Sequence, residues 1–330
     1  MGSCAGNVYG FDVATGELRW SYDVSADGAT QFHGSPWISD TILIVGTDMG
    51  NEQNGSLYAL QRLTGRLLWK REWDTGLPSN IVGADSLVYL IAQSDEVSAV
   101  RVRDGTTRWS FETGWKQDDI PAGEDGRFHS MLQTDLQLIN GTLYFAGRNF
   151  TVFALDALTG ATKWVHPVPA AVTTQLLRSD SVLFVGTESP GIEAISIRDG
   201  RELYSHVTDL IPIGGMARSG DLLYYLSGTN PLRPTEVIAH NLSTGQLAWA
   251  QTSPGIEDDA YWFVPRIHLW RDDVVVGTSH GHLTGLDRRA GDPKWSHEMD
   301  GAIRGIGHSG DSLLLVGTFQ GILLALRPVH

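Results

Sequence analysis

Two short stretches place a histidine behind a phenylalanine, "QFHG" at 31–34 and "RFHS" at 127–130, and a third, "SHGH" at 279–282, sets two histidines one residue apart. Histidine is the side chain whose charge changes near neutrality, so such positions suit general acid–base work or metal ligation. His33 and His129 stand at the start of equivalent segments, with Arg304 in "AIRG" at the corresponding place near the C-terminus. With Glu188 these four could form a catalytic group that moves a proton and stabilises developing charge. His280 and His282 have the alternating spacing that would put two imidazoles on one side of a strand, where a metal could use both. A third set, Asp48, Trp73, Trp115, Arg148, Trp262 and Gln320, mixes carboxylate, guanidinium, amide and aromatic groups suited to binding a ligand. The plainer reading is that polar residues line a wet channel and solubilise loops.

Around these residues the loops are acidic and aromatic. Glu52, Asp118, Asp119, Glu124, Asp125, Glu257, Asp258 and Asp259 join Asp48, and Tyr261 joins the tryptophans. Carboxylates beside aromatic walls suit a cation, a sugar or a bound calcium. No run has the "D-x-[DN]-x-[DN]-G" spacing of an EF-hand. A Gly-rich phosphate loop, a "G-x-S-x-G" elbow and an "H-E-x-x-H" pair are also absent from the sequence. "GHSGD" at 307–311 falls where other copies of the repeat have a short turn, which makes Ser309 a turn residue. The formal net charge of −14 excludes nucleic acid as a partner, because phosphates demand basic patches. No run approaches 18 apolar residues, so no transmembrane helix is expected. The single Cys4 excludes an intrachain disulfide. The chain as given shows no basic and apolar leader, which reads as cytoplasmic; removal of a leader would make it periplasmic or extracellular.

The elements that position these groups are repeats. "GSCAGNVYGFDVATGELRW" (2–20) matches "GTSHGHLTGLDRRAGDPKW" (277–295) without a gap, and further copies are "GSLYALQRLTGRLLW" (55–69), "EVSAVRVRDGTTRW" (96–109), "FTVFALDALTGATKW" (150–164), "GIEAISIRDGRELY" (191–204) and "TEVIAHNLSTGQLAW" (235–249). The closing aromatics Trp20, Trp69, Trp109, Trp164, Tyr204, Trp249 and Trp295 lie 49, 40, 55, 40, 45 and 46 residues apart. Most copies follow an apolar run that ends on small residues, such as "ILIVGT" (42–47) and "LLLVGT" (313–318). Period-two alternation and short apolar runs predict strands, and Thr-Gly or Asp-Gly predicts a tight hairpin turn. Four short strands per unit of about 45 residues predict an all-β propeller spanning 1–330 as a single domain.

The motif "G-x-[LV]-Y-A-[LF]-D-x-x-T-G-x-x-x-W" resembles the repeat of the pyrroloquinoline-quinone-like propellers. That family includes quinoprotein dehydrogenases and the lipoprotein propeller of the bacterial outer-membrane barrel-assembly machinery. The resemblance implies that the closing aromatics pack between adjacent blades. Enzymes of the family carry a vicinal Cys-Cys pair and a carboxylate-rich calcium site, and this chain has one cysteine. Pyrroloquinoline quinone is therefore not an expected cofactor, whereas a divalent cation such as calcium remains compatible with the loops.

Six units are complete in strands. The C-terminus supplies a first, second and third strand, and the N-terminus supplies the tail of a second, a third and a fourth. The economical count is seven blades, closed by strands from both ends in one blade, which leaves no exposed sheet edge; eight blades follow if the native chain is longer. Strand direction puts the loops between strands two and three, and those between successive blades, on one face. Nearly all the long insertions lie there, and "GSCAG" puts Cys4 on that face too. Two classes of function follow. The first is a non-enzymatic scaffold that presents this face to a protein or small-molecule partner. The second is a cofactor-independent or metal-assisted lyase, isomerase or hydrolase working at the channel mouth. The oligomeric state is not legible in the sequence.

Overall fold

Each repeat begins with an apolar run that becomes a buried strand and ends with a polar alternation that becomes an edge. The computed structural model describes residues 2–3, 6–25, 31–48, 54–84, 86–116, 136–229, 235–252, 267–318 and 320–327. Their strands, in chain order, fall into consecutive antiparallel sheets. The first is β1 (Gly2–Ser3), β2 (Asn7–Phe11) and β3 (Leu18–Asp23). Next come β4 (Trp37–Ile38), β5 (Ile42–Gly46), β6 (Gly55–Gln61) and β7 (Leu67–Trp73), then β8 (Val82–Ala84), β9 (Leu87–Ile91), β10 (Glu96–Arg101) and β11 (Thr107–Glu112). They are followed by β12 (Gln137–Ile139), β13 (Thr142–Gly147), β14 (Thr151–Asp156) and β15 (Thr162–Pro167), and by β16 (Leu177–Ser179), β17 (Val182–Thr187), β18 (Gly191–Ser196) and β19 (Glu202–Val207). The last groups are β20 (Ile211–Ser219), β21 (Leu222–Gly228), β22 (Glu236–Asn241) and β23 (Gln246–Gln251); β24 (Ile267–Trp270), β25 (Asp273–Gly277), β26 (His282–Asp287) and β27 (Pro293–Glu298); and β28 (Ile303–Ser309), β29 (Leu313–Thr318) and β30 (Leu323–Leu326).

This is the all-β propeller of four-stranded antiparallel blades that the repeats predict. Seven fourth strands are present, one for each closing aromatic, and the sheets at the two chain ends have three strands each. Among the described residues there is no α-helix; a short 3-10 turn at Gly310–Ser312 joins β28 to β29, so Ser309 is indeed a turn neighbour. Two compact units divide the chain, Met1–Pro167 and Val168–His330.

The second and third strands of each sheet form the core. Ile44, Leu57, Leu90, Phe145, Leu183 and Leu226 are all fully buried. Apolar clusters join consecutive sheets within each unit: Ile44, Leu57 and Ala59 pack with Val88, Leu90 and Val100, and Tyr224, Leu226 and Val237 pack with Val274, Val276 and Leu286. Each fully buried side chain of this kind contributes about 1.5–3 kcal/mol.

Around the closing aromatics a repeated device fixes the edge strands. A small residue always stands opposite: Gly10, Ala59, Ala99, Ala154, Ala194, Ala239 and Gly285 face the seven in turn, and the register shifts by a bulge immediately after each. A side chain larger than alanine would strike the indole; even a methyl at Gly10 would lie 2.3 Å from Trp20. Four of the indoles then reach the turn of the next repeat. Trp20, Trp69 and Trp109 donate their N–H to the carbonyls of Arg62, Val102 and Ala157, at 2.9, 2.8 and 3.0 Å. They cover Gly65, Gly105 and Gly160, which hold positive φ angles of 69°, 72° and 75°. Trp249 does the same over Gly291 in the second unit. After Tyr204, which has no N–H, the neighbouring His206 ring covers Gly245 instead. The packing implied by the family resemblance is therefore present, and glycine is required there both for φ and for the ring above it.

Short acids close the same turns. Asp12, Asp156 and Asp287 accept backbone N–H groups two and three residues on. The guanidinium of Arg19, then the N–H groups of Thr15 and Ala14, hold the Asp12 carboxyl down at about 2.

Candidate functional site

The loops that follow the second strands carry most of the candidates, and their anchoring begins with threonine. Thr47, Thr278 and Thr318 are buried, and their hydroxyls accept the N–H of Ser56, His282 and Ile322, closing the link between strands two and three. This is the physical reason for the final threonine of the "VGT" signal. It gives the residues that follow a fixed frame.

In the first unit these loops meet. Asp48 donates its N–H to the Gln31 carbonyl at 2.9 Å, and its carboxylate sits 3.0 Å from Nδ1 of His33. The imidazole is thus oriented by a buried acid, an arrangement able to support acid–base chemistry. Gly76 separates Asp48 from the next loop: a methyl there would lie 2.4 Å from Asp48 Oδ1 and 3.1 Å from Gln93 Oε1. Gln93 donates its N–H to the Gly76 carbonyl at 2.8 Å. Arg148, itself buried, then donates from its guanidinium to the Gln93 carbonyl at 2.8 Å. Its plane lies over the Trp115 ring at 4.6 Å, a cation–π contact.

Asp95 anchors this knot. Only 2% exposed, it accepts the Thr113 hydroxyl at 2.6 Å and the Arg148 backbone N–H at 3.1 Å. Asn149 ties in too, donating to the Thr113 carbonyl at 2.8 Å. Burial pushes the Asp95 carboxyl up, against the opposing pull of Thr113 and Arg148. Burial likewise pushes Arg148 down, opposed by Asp95. The two charges compensate one another in a place that water reaches poorly, so removing either leaves the other exposed to a desolvation cost.

Not all the candidates join this group. Trp73 ends β7 and carries Arg71 at 4.9 Å over its ring. Glu188, Arg304, Gln320, His280 and His282 belong to the second unit. Glu188 is exposed and donates its N–H to the Ala171 carbonyl. Arg304 is the second residue of β28, half-buried, and Gln320 lies on Gly301, whose φ of 90° and contact with that amide exclude a side chain. The expected alternation of His280 and His282 along a strand is corrected by the structure. Thr278 to Gly281 form a turn, with Gly281 at φ 85°, so His282 begins β26 and His280 stays in the turn. His282 faces Glu298 at 3.8 Å. Among the described residues no group of three or more His, Cys, Asp and Glu side chains is poised around a common point. Cys4, Glu52, Asp118, Asp119, Glu124, Asp125, His129, Glu257, Asp258, Asp259, Tyr261 and Trp262 lie outside the described residues.

Sequence reasoning did not single out Asp95, Gln93, Thr113 or Gly76. The available signal was positional, since Gln93 and Asp95 follow a second strand as Asp48 and Arg148 do.

Over residues 1–111 and 112–328 the chain matches the family described as outer membrane protein assembly factor BamB. It belongs to that family. A relative of the same description from Moranella endobia is 27% identical over 210 residues, 59% of this chain and 48% of its own length. The aligned region therefore spans about half of that relative. Among solved structures, BamB from Moraxella catarrhalis superposes on 100% of this chain and 91% of its own at a TM-score of 0.77 with 19% identity. A europium-containing methanol dehydrogenase superposes on 94% of this chain and 78% of its own at 0.70 with 12% identity. These likenesses show a shared fold, and the resemblance drawn from the repeats, a quinone-type propeller with an assembly-factor relative, is borne out.

Proposed function

We propose that this family member is a non-enzymatic scaffold that holds a protein partner in outer-membrane protein assembly, using the loops knotted by Asp95 and Arg148. The observation that carries the reading is that knot. Asp95, Arg148, Thr113 and Asn149 spend their hydrogen bonds on one another and on backbone, which fixes loops from three positions of the first unit. Groups used in this way position a surface and do not turn over a substrate. Trp115 is held by the guanidinium and only partly buried, the form an interface anchor takes. The assembly-factor description of the family supports a protein partner over a small molecule. Purified protein should capture a protein of outer-membrane assembly from a detergent-solubilised envelope. Trp115→Ala should lower that capture at least tenfold while the melting temperature stays within a few degrees. Equal capture by the variant, or by one shortened across 117–135, would remove the proposal.

A second reading rests on His33 and Asp48, an imidazole oriented by a buried carboxylate. An enzyme built on this pair would lose turnover on His33→Gln with its stability kept. Unchanged partner capture by that variant agrees with the scaffold.

A further inference from the structure

In the second unit the first strands of two consecutive sheets, β24 and β28, run close to one another, and each presents a histidine towards the other. Nε2 of His268 lies 2.6 Å from Nδ1 of His308, with the rings 4.8 Å apart and tilted by 53°. His308 is exposed and His268 half-buried, so dissolved ions reach the pair. Both residues stand near the turns that lead to the second strands of their own sheets, β25 and β29. None of the sequence candidates includes either one.

We propose that His268 and His308 form a two-imidazole site for a borderline transition-metal ion of the zinc, nickel or copper class. In the metal-free pair, one inward nitrogen carries the proton and the other accepts it. Moving that proton to the outward nitrogen of the same ring, through solvent, turns both lone pairs inward and leaves each imidazole neutral. An ion bound to two imidazoles at about 2.0–2.1 Å needs the nitrogens roughly 2.9–3.4 Å apart, depending on whether the angle between them is square or tetrahedral. The rings must therefore part by well under an ångström, which half-exposed side chains can do by small rotations. Nitrogen donors select this class over calcium and magnesium, which take oxygen. Water fills the remaining positions. Burial, together with the neighbouring imidazole, already pushes the His268 ring below its ordinary value, so protons compete less with a metal.

A second histidine pair provides a contrast. The rings of His206 and His240 are also 4.8 Å apart, but both Nε2 atoms are buried, which closes those two nitrogens to a dissolved ion.

Isothermal titration of tag-free protein with zinc chloride at pH 7.5 tests the site. One ion per chain should bind in the micromolar range. His268→Gln and His308→Gln should each weaken it at least tenfold, and a His280→Gln/His282→Gln double variant should bind as the parent does. Glutamine retains a hydrogen bond across the strands, so melting curves of the metal-free variants should match the parent. With copper(II), electron paramagnetic resonance should show two equatorial imidazole nitrogens falling to one in either single variant. The proposal is overturned if zinc binding survives both single substitutions, if it follows His280 and His282 instead, or if the parent binds no zinc below millimolar concentration.

Discussion

Gly105→Ala and Gly141→Ala together separate the two demands placed on the turn glycines. Both positions hold nearly the same backbone, φ 72° and 71°, so alanine meets the same left-handed strain of about 1–2 kcal/mol at each. Their surroundings differ. Nothing lies within 4 Å of a methyl at Gly141, whereas at Gly105 it would stand 2.7 Å from the Trp69 ring. Ordinary carbon contacts sit at about 3.5–4.0 Å, so the indole must retreat by roughly 1 Å. That retreat stretches the 2.8 Å bond from the indole N–H to Val102 beyond hydrogen-bond length. Losing it costs about 0.5–1.5 kcal/mol, and the disturbed packing about 1–3 kcal/mol more. Gly105→Ala should therefore fall short of Gly141→Ala by about 1.5–4.5 kcal/mol in urea denaturation followed by tryptophan fluorescence and circular dichroism. Equal losses at the two sites would refute the claim that indole contact, and not φ alone, fixes glycine in this turn.

Removing one charge of the buried knot should cost more than removing both. Asp95→Ala should destabilise by about 3–5 kcal/mol, and Arg148→Met combined with it should recover a large part, read as a coupling term in a denaturation cycle. His240 gives a pH signature. Burial, then the adjacent His206, pushes its imidazole below the ordinary value of about 6.5, so the unfolded chain takes up the proton first as pH falls. Its contribution is complete above that value and declines as pH falls below it; His240→Leu should flatten the stability curve on that acid side by up to about 1.4 kcal/mol per pH unit. Asp273 accepts both the Trp295 N–H at 2.7 Å and the Lys294 ammonium. Asp273→Ala should cost about 2–3 kcal/mol in thermal unfolding and Asp273→Asn clearly less, since the amide oxygen still serves the indole.

The fold was legible because its determinants are local and repeated. Alternation in "VFALD", a turn at Thr-Gly and an aromatic four residues later specify a third strand, a hairpin and a fourth strand without reference to distant sequence. The bulge beside each closing aromatic was not legible, although the alanine or glycine that permits it recurs in every copy. Its meaning depends on the indole lying across the strand. The site was less accessible, because Asp95 and Arg148 are far apart in sequence and meet only when two second-strand links converge. His33 and Asp48, both singled out, do meet, since the frame of a single repeat brings them together. His280 and His282 show the opposite failure. A spacing of two reads as alternation only within a strand, and the positive φ of Gly281 places the boundary between them.

The clasp of indole on glycine has a consequence for how such a chain can change length. Every described clasp engages the turn between the third and fourth strands, at the opposite end of the sheet from the long connections. Register is thus set at one end of each repeat and is indifferent to what is inserted at the other. Spacings between closing aromatics range from 40 to 55 residues with no change in strand pattern. Doubling a flexible loop costs only about 0.6 kcal/mol in closure entropy, well below the contribution of a single clasp. New connections can therefore be tried at that end of each sheet almost without penalty to the repeats that carry them.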